Sequence, residues 1–162
     1  MAPREIALAD ITDLIGKELG ISEWMAMPQS RIDRFADATD DHQFIHVDPV
    51  RAAETPFGGT IAHGFLTLSM LSAMNYDCLP KVREQTMGIN YGFEKVRFMA
   101  PVPAGARIRG RFVLADARFR GAGMLMVTYD VTVEIEEIKK PAMTAKWLTI
   151  IQFDPKDRPE TV

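Results

Sequence analysis

Two residues of the sequence, Asp41 and His46, have the types and spacing to exchange protons with a bound molecule. They sit in the stretch Thr39-Asp40-Asp41-His42-Gln43-Phe44-Ile45-His46-Val47-Asp48-Pro49. After a short helical pattern this continues as Phe57-Gly58-Gly59-Thr60-Ile61-Ala62-His63-Gly64-Phe65. All 3 histidines of the chain fall here. A carboxylate and an imidazole a few residues apart, in a loop facing the start of an apolar helix, suit general acid–base work. Gly64 stands where that helix begins. Its amide would offer a fixed donor and the positive end of a helix dipole to an oxygen that gains negative charge. A glycine there also lets a ligand approach the backbone closely. The structural alternatives are an Asx turn at Asp41, a hydrogen-bonded loop histidine at His46, and a packing or capping glycine at Gly64.

The remaining candidates carry less. His63 either lines the same site or fixes the loop before the helix by a hydrogen bond, and the second is preferred. His42 is expected to be exposed. Carboxylates and imidazoles suit several metals, so Asp41, His42, His46 and His63 raise a metal site. No paired spacing on one helical face supports it, and no metal is expected. Cys78 follows the apolar helical pattern and reads as a small packed hydrophobe rather than a nucleophile.

The elements that must position these residues follow from periodicity. Residues 11–19 suggest a short helix or an irregular lead-in, and Ile21 to Met27 a first strand stopped by Pro28. Ser30 is placed to cap a helix over Arg31 to Ala38, with Ile32, Phe35 and Ala36 on one face. Asp48-Pro49 opens another helix that ends before Pro56. From Gly64 to Asn75 almost nothing is charged, and apolar residues occupy every face, which predicts a helix buried all round. Four long strands follow: Gly88 to Ala100, Arg107 to Arg118, Met124 to Glu136, and Met143 to Phe153. Turns are expected at Pro101–Gly105, Gly121–Gly123 and Lys139–Pro141. The alternation Val127, Tyr129, Val131, Val133, Ile135 against Thr128, Asp130, Thr132, Glu134 predicts antiparallel strands with one wet face. One long helix and about five antiparallel strands make an α+β fold. The whole chain, 1–162, reads as one domain, with residues 1–20 a lead-in and 154–162 a frayed tail.

Composition narrows the function classes. The chain has 162 residues, 47% apolar and 25% charged, with a formal net charge of −3. That is globular and slightly acidic, so nucleic acid is not an expected partner. No apolar run reaches the roughly 18 residues that a membrane span needs. The order Met1-Ala2-Pro3-Arg4-Glu5 is not that of a signal peptide. A single cysteine excludes an internal disulfide and suits a reducing cytoplasm.

Asp41-(four residues)-His46-Val47-Asp48, followed by Phe57-Gly58-Gly59-Thr60-Ile61-Ala62-His63-Gly64, resembles the signature of the MaoC-like (R)-specific enoyl-CoA hydratases. The resemblance is to the subgroup of nodulation protein N-like dehydratases. Val96-Arg97-Phe98 with Pro101-Val102 fits that family's next strand. Many members carry Asn-Pro where this chain has Gln43-Phe44. The resemblance implies the hotdog fold, a five-stranded antiparallel sheet wrapped around a long central helix. It also implies Asp41 and His46 as catalytic residues, Gly64 as the donor to the thioester carbonyl, and Ser72 as a hydroxyl that orients the aspartate. Ser72 could equally bond back within its own helix.

The implied activity interconverts a trans-2-enoyl-CoA and an (R)-3-hydroxyacyl-CoA, with coenzyme A as part of the substrate and no other cofactor. A hotdog acyl-CoA thioesterase and a non-catalytic acyl-CoA binding module are the alternatives. Met70, Met74 and Met99 could line an adaptable acyl tunnel or be ordinary core. Lys95, Arg97, Arg107 and Arg109 are open candidates for the coenzyme A phosphates. An open sheet leaves an unpaired edge, so a homodimer or higher homo-oligomer is expected.

Overall fold

The structure, a computed structural model, describes residues 5–160. The readings made above for Met1 to Arg4 and for Thr161 and Val162 lie outside the described residues. The described residues open with strand β1 (Glu5–Ile6) and a 3-10 turn over Leu8–Leu14, where a short helix or an irregular lead-in over 11–19 was expected. Two short strands follow, β2 (Glu18–Ile21) and β3 (Met25–Ala26), in place of one strand over 21–27. The helices are α1 (Gln29–Thr39), α2 (Phe44–Val47), α3 (Pro49–Ala53), α4 (Gly64–Ser69) and α5 (Leu71–Cys78). The strands β4 (Lys81–Val82), β5 (Gln85–Phe98), β6 (Arg107–Arg120), β7 (Met124–Ile135) and β8 (Ile138–Phe153) complete the chain.

The main sheet runs β2-β6-β7-β8-β5, with β3 also paired to β6. It therefore holds six strands in five positions, because β2 and β3 share one edge of β6. All its pairings are antiparallel. The alternation read from the sequence is the pattern observed. Val127, Tyr129, Val131, Val133 and Ile135 are buried, and Tyr129, Val131 and Val133 stand opposite Trp147, Ala145 and Met143 of β8. The outer face carries exposed or half-exposed ion pairs such as Lys146–Asp130 (2.6 Å) and Arg111–Glu18 (2.8 Å), each worth about 0–1 kcal/mol.

The last hairpin turns earlier than expected. Ile135 pairs with Ile138 across a two-residue turn in which Glu137 takes a left-handed φ of 62°. Lys139 to Pro141 then belong to β8. Within the segment read as a tail, Asp154 caps Lys156 N–H at 3.1 Å, and Arg158 lies over the Phe119 ring.

Helices α4 and α5 form one kinked rod across the concave face of the sheet. The kink at Met70 follows two side chains that bond back one turn, Ser69 Oγ to Phe65 O (2.7 Å) and Thr67 Oγ1 to His63 O (3.4 Å); such bonds bend helices. Leu66, Leu71 and Met74 are buried against the sheet. Gly20 of β2 lets the end of α5 come close, since a Cβ there would overlap the Cys78 carbonyl. Burial holds the Cys78 thiol up at about 12, in keeping with a packed residue.

The helix is not buried all round, which corrects the expectation. Phe65 is 67% and Tyr76 84% exposed, and Ser69 and Ala73 lie on the same stripe. One sheet can cover only one side of a helix, and nothing among the described residues covers the other.

Candidate active site

The chain reaches the site through α1, whose start is preceded by Pro28 rather than capped by Ser30. The helix ends at Asp40, which takes a left-handed conformation (φ 58°, ψ 20°). Aspartate tolerates this region better than most residues. The reversal sends Asp41 away from the helix axis and into the loop. His46 then sits on α2, and Asp48 ends that turn and starts α3. The Asp48 carboxylate accepts the amides of Val50 (3.1 Å) and Arg51 (3.0 Å), a cap typically worth about 1 kcal/mol.

The structure brings Asp41, His46 and His63 together: one ligand atom from each lies within 4.8 Å of the others. His46 is buried, and its Nδ1–H donates to the Ile61 carbonyl at 2.7 Å. A carbonyl only accepts, so in the neutral ring Nε2 keeps its lone pair. Burial lowers the His46 pKa below the ordinary imidazole value, and neighbouring His63 acts the same way. The bond to Ile61 and the charge of Asp41 oppose them.

His63 lies under His46 with ring centroids 3.8 Å apart. Its Nε2–H donates to the main-chain carbonyl of Asp41 at 2.9 Å, which matches the preferred reading of His63 as a loop anchor. The Asp41 carboxylate is about half exposed, 4.0 Å from the same nitrogen. The donor spacing of up to 4.8 Å is wider than a tight tetrahedral metal site uses.

Gly64 is the first residue of α4, after His63 at φ −59° and ψ 139°. With His46, Thr67, Phe98 and Val102 it lines a cleft of about 260 Å³. His46 and the helix-start residue Gly64 thus line one space.

Ser72 does not join them. It makes no hydrogen bond to Asp41 among the described residues and lines a larger cavity of about 470 Å³ with Asn75, Tyr76, Met87, Ile89 and Trp147. It lies eight positions along the helix from Gly64, a rise of roughly 12 Å. It does not bond back within its helix either; Thr67 and Ser69 do. His42 is exposed as expected and pairs with Asp37 at 2.9 Å, which raises its pKa. Of the basic candidates, Arg107 and Arg109 are paired with Glu136 and Glu134. Lys95 and Arg97 have no ion pair among the described residues. Of the methionines, Met74 is core and Met99 lines the cleft.

Two residues at this site escaped the sequence reading. Gln29 donates to the main-chain carbonyl of His46 (2.7 Å) and accepts from the hydroxyl of buried Thr60 (2.5 Å). No motif marks Gln29, whose partners are 17 and 31 positions away, and Thr60 stands within the glycine-rich motif with nothing in the sequence to tie its hydroxyl to Gln29.

A kinked helix laid in a curved antiparallel sheet, with a carboxylate and an imidazole at the helix start, defines a hotdog-fold protein with an acid–base site. Comparison with known proteins narrows this: residues 10–136 match the MaoC like domain, and the chain belongs to that family. It is 66% identical over 159 residues to nodulation protein N of Rhizobium leguminosarum bv. viciae, covering 98% of this chain and 99% of that one. It is 45% identical over 140 residues to 3-hydroxyacyl-thioester dehydratase Z of Mycobacterium tuberculosis, covering 86% and 92%. Among solved structures, a monoamine oxidase regulatory protein from Archaeoglobus fulgius superposes with a TM-score of 0.76 at 26% identity over 96% of this chain and 99% of that one. A MaoC-like dehydratase from Rhodospirillum rubrum superposes at 0.75 with 18% identity over 93% and 99%, a likeness of fold. No helix among the described residues is long and apolar enough to cross a membrane.

Proposed function

We propose that this protein is a hydratase/dehydratase that interconverts a trans-2-enoyl-CoA and an (R)-3-hydroxyacyl-CoA. The observation that carries the proposal is the cleft shared by His46 and the Gly64 helix start, with the Asp41 carboxylate beside it. The thioester dehydratase among its relatives supports the reaction class. The (R) stereochemistry comes from the family resemblance.

In the hydration direction a water lies between the Asp41 carboxylate and Nε2 of His46. Its oxygen forms a bond to C3 as one of the two groups takes its proton. The C2=C3 electron pair then takes a proton at C2 from the same pair of groups. Neighbouring titrating groups act as a unit, so the steps belong to the pair. Each such transfer typically contributes about 10²–10⁴-fold. Meanwhile charge moves onto the thioester oxygen, and the Gly64 amide at the helix start is the donor that receives it. Two proton transfers and one fixed donor suffice for this chemistry, so the proposal includes no metal or redox cofactor. It also includes a cytoplasmic location and a homodimer or higher homo-oligomer.

Crotonyl-CoA tests this. Loss of the enoyl-thioester absorbance without release of free thiol is expected. Thiol release would make the protein a thioesterase, and neither signal would leave a binding module.

A further inference from the structure

We propose that Gln29, from the first turn of α1, is a positioning residue for His46. The inference rests on the hydratase reading for its kinetic consequence, but not for its geometry. Every polar atom of the Gln29 side chain is committed. Nε2 donates to Asp33 Oδ1 at 2.7 Å and to the His46 carbonyl at 2.7 Å, and Oε1 accepts from Thr60 Oγ1 at 2.5 Å.

The last two bonds matter most. Thr60 directly precedes Ile61, whose carbonyl receives Nδ1–H of His46. One amide therefore grips the main chain of His46 and, on its other side, the segment that orients the His46 ring. This fixes the gap that the Nδ1–H···O=C bond must span. That bond decides which ring nitrogen carries the proton and where the Nε2 lone pair points. Further ties hold the same frame: Ile61 N–H donates to the Ile45 carbonyl at 3.0 Å, and Ala104 N–H to the Thr60 carbonyl at 2.9 Å. Gln29 is the only side chain among the described residues whose hydrogen bonds reach both His46 and Thr60. Capping α1 does not explain it, since that helix start has no side-chain cap.

The test uses Gln29→Met, which keeps length but removes donor and acceptor, and Thr60→Val, which keeps shape but removes the hydroxyl. Two readouts are taken on the full chain: crotonyl-CoA kinetics and the ¹⁵N–¹H correlation pattern of the His46 ring. Wild type should show a single tautomer protonated at Nδ1. Gln29→Met should lose about 10–100-fold in kcat, the scale of a small misplacement of a catalytic group, with KM little changed. Its His46 ring should show a mixture of tautomers, and Thr60→Val should move both readouts the same way by less. Wild-type kcat in Gln29→Met, or a lost kcat with an unaltered His46 pattern, would overturn the proposal. Should Gln29→Met fail to fold, the same pair of readouts on Thr60→Val decides. If the wild type does not hydrate crotonyl-CoA, the hydratase reading fails alone. The ring pattern then still decides whether Gln29 orients His46.

Discussion

The rings of His46 and His63 lie face to face, centroids 3.8 Å apart and planes 27° from parallel. The two imidazoles have different duties: His63 spends its Nε2–H on the backbone of Asp41, while His46 spends its Nδ1–H on Ile61 and keeps Nε2 free. Burial and this neighbour both disfavour a charged His46.

That arrangement fixes a pH dependence. The folded pKa of His46 lies below the value of about 6.5 that an unfolded chain would show. Its neutral form therefore persists as pH falls to that value. If a neutral His46 is required, kcat/KM for crotonyl-CoA should be flat from neutral pH down to about 6.5 and fall only below it. Stability should follow the same sign: it is fully present above about pH 6.5 and is lost as pH falls further, because the unfolded chain takes up the proton first. An acid limb centred above 6.5 would remove His46 from the role.

Asp41→Asn conserves shape and removes a titrating group. The Asp41 carboxylate is about half exposed and accepts no hydrogen bond among the described residues, so the fold should be unaffected. Activity on crotonyl-CoA should drop by at least about 10²-fold, while the melting temperature stays close to wild type. Near-normal turnover would show that Asp41 takes no part.

Much of this was legible from residue order because it is local. The Asp48-Pro49 helix start, the β7 alternation and the Asp41/His46 spacing each depend on neighbours a few positions apart. Non-local features were not legible. The Ser72 hydroxyl was paired with Asp41 by resemblance, and the length of helix beyond Gly64 carries it to a different cavity. The hub at Gln29 joins residues 17 and 31 positions away. The all-apolar helix read as buried on every side because composition shows that a face is greasy, not what covers it.

The uncovered face leads to an assembly prediction. Among the described residues, strand β5 bonds only to β8 and leaves its other edge open. Met87, Ile89, Tyr91 and Phe93 stand exposed along it, and Met87 and Ile89 line the same cavity as Tyr76 at the end of the helix stripe. A long apolar edge is a liability that pairing with a second copy removes. Light scattering at micromolar concentration should give at least twice the 18.1 kDa chain mass. Tyr91→Lys should shift the population towards monomer. A wild-type monomer would count against self-association.

Gly64 permits the sharpest test, because its role hangs on one hydrogen. Its φ is not among the positive values of the chain, so the glycine is not there for a left-handed turn. It is the first residue of α4, a position where proline is favoured. His63 before it has ψ 139°, the extended conformation that a residue preceding proline needs. Gly64→Pro should therefore fold while lacking the amide hydrogen. Gly64→Ala keeps that hydrogen and serves as the steric control, since a Cβ at this position would sit 3.1 Å from the Phe98 ring. Phe98 is about half exposed and has room to yield a few tenths of an ångström. Loss of one donor to a developing oxyanion typically costs about 10²–10³ in turnover. The proline variant should lose at least about that factor in kcat for crotonyl-CoA, and the alanine variant much less. Equal losses would mean that Gly64 provides only space beside Phe98. A folded proline variant with full activity would exclude the amide as the donor.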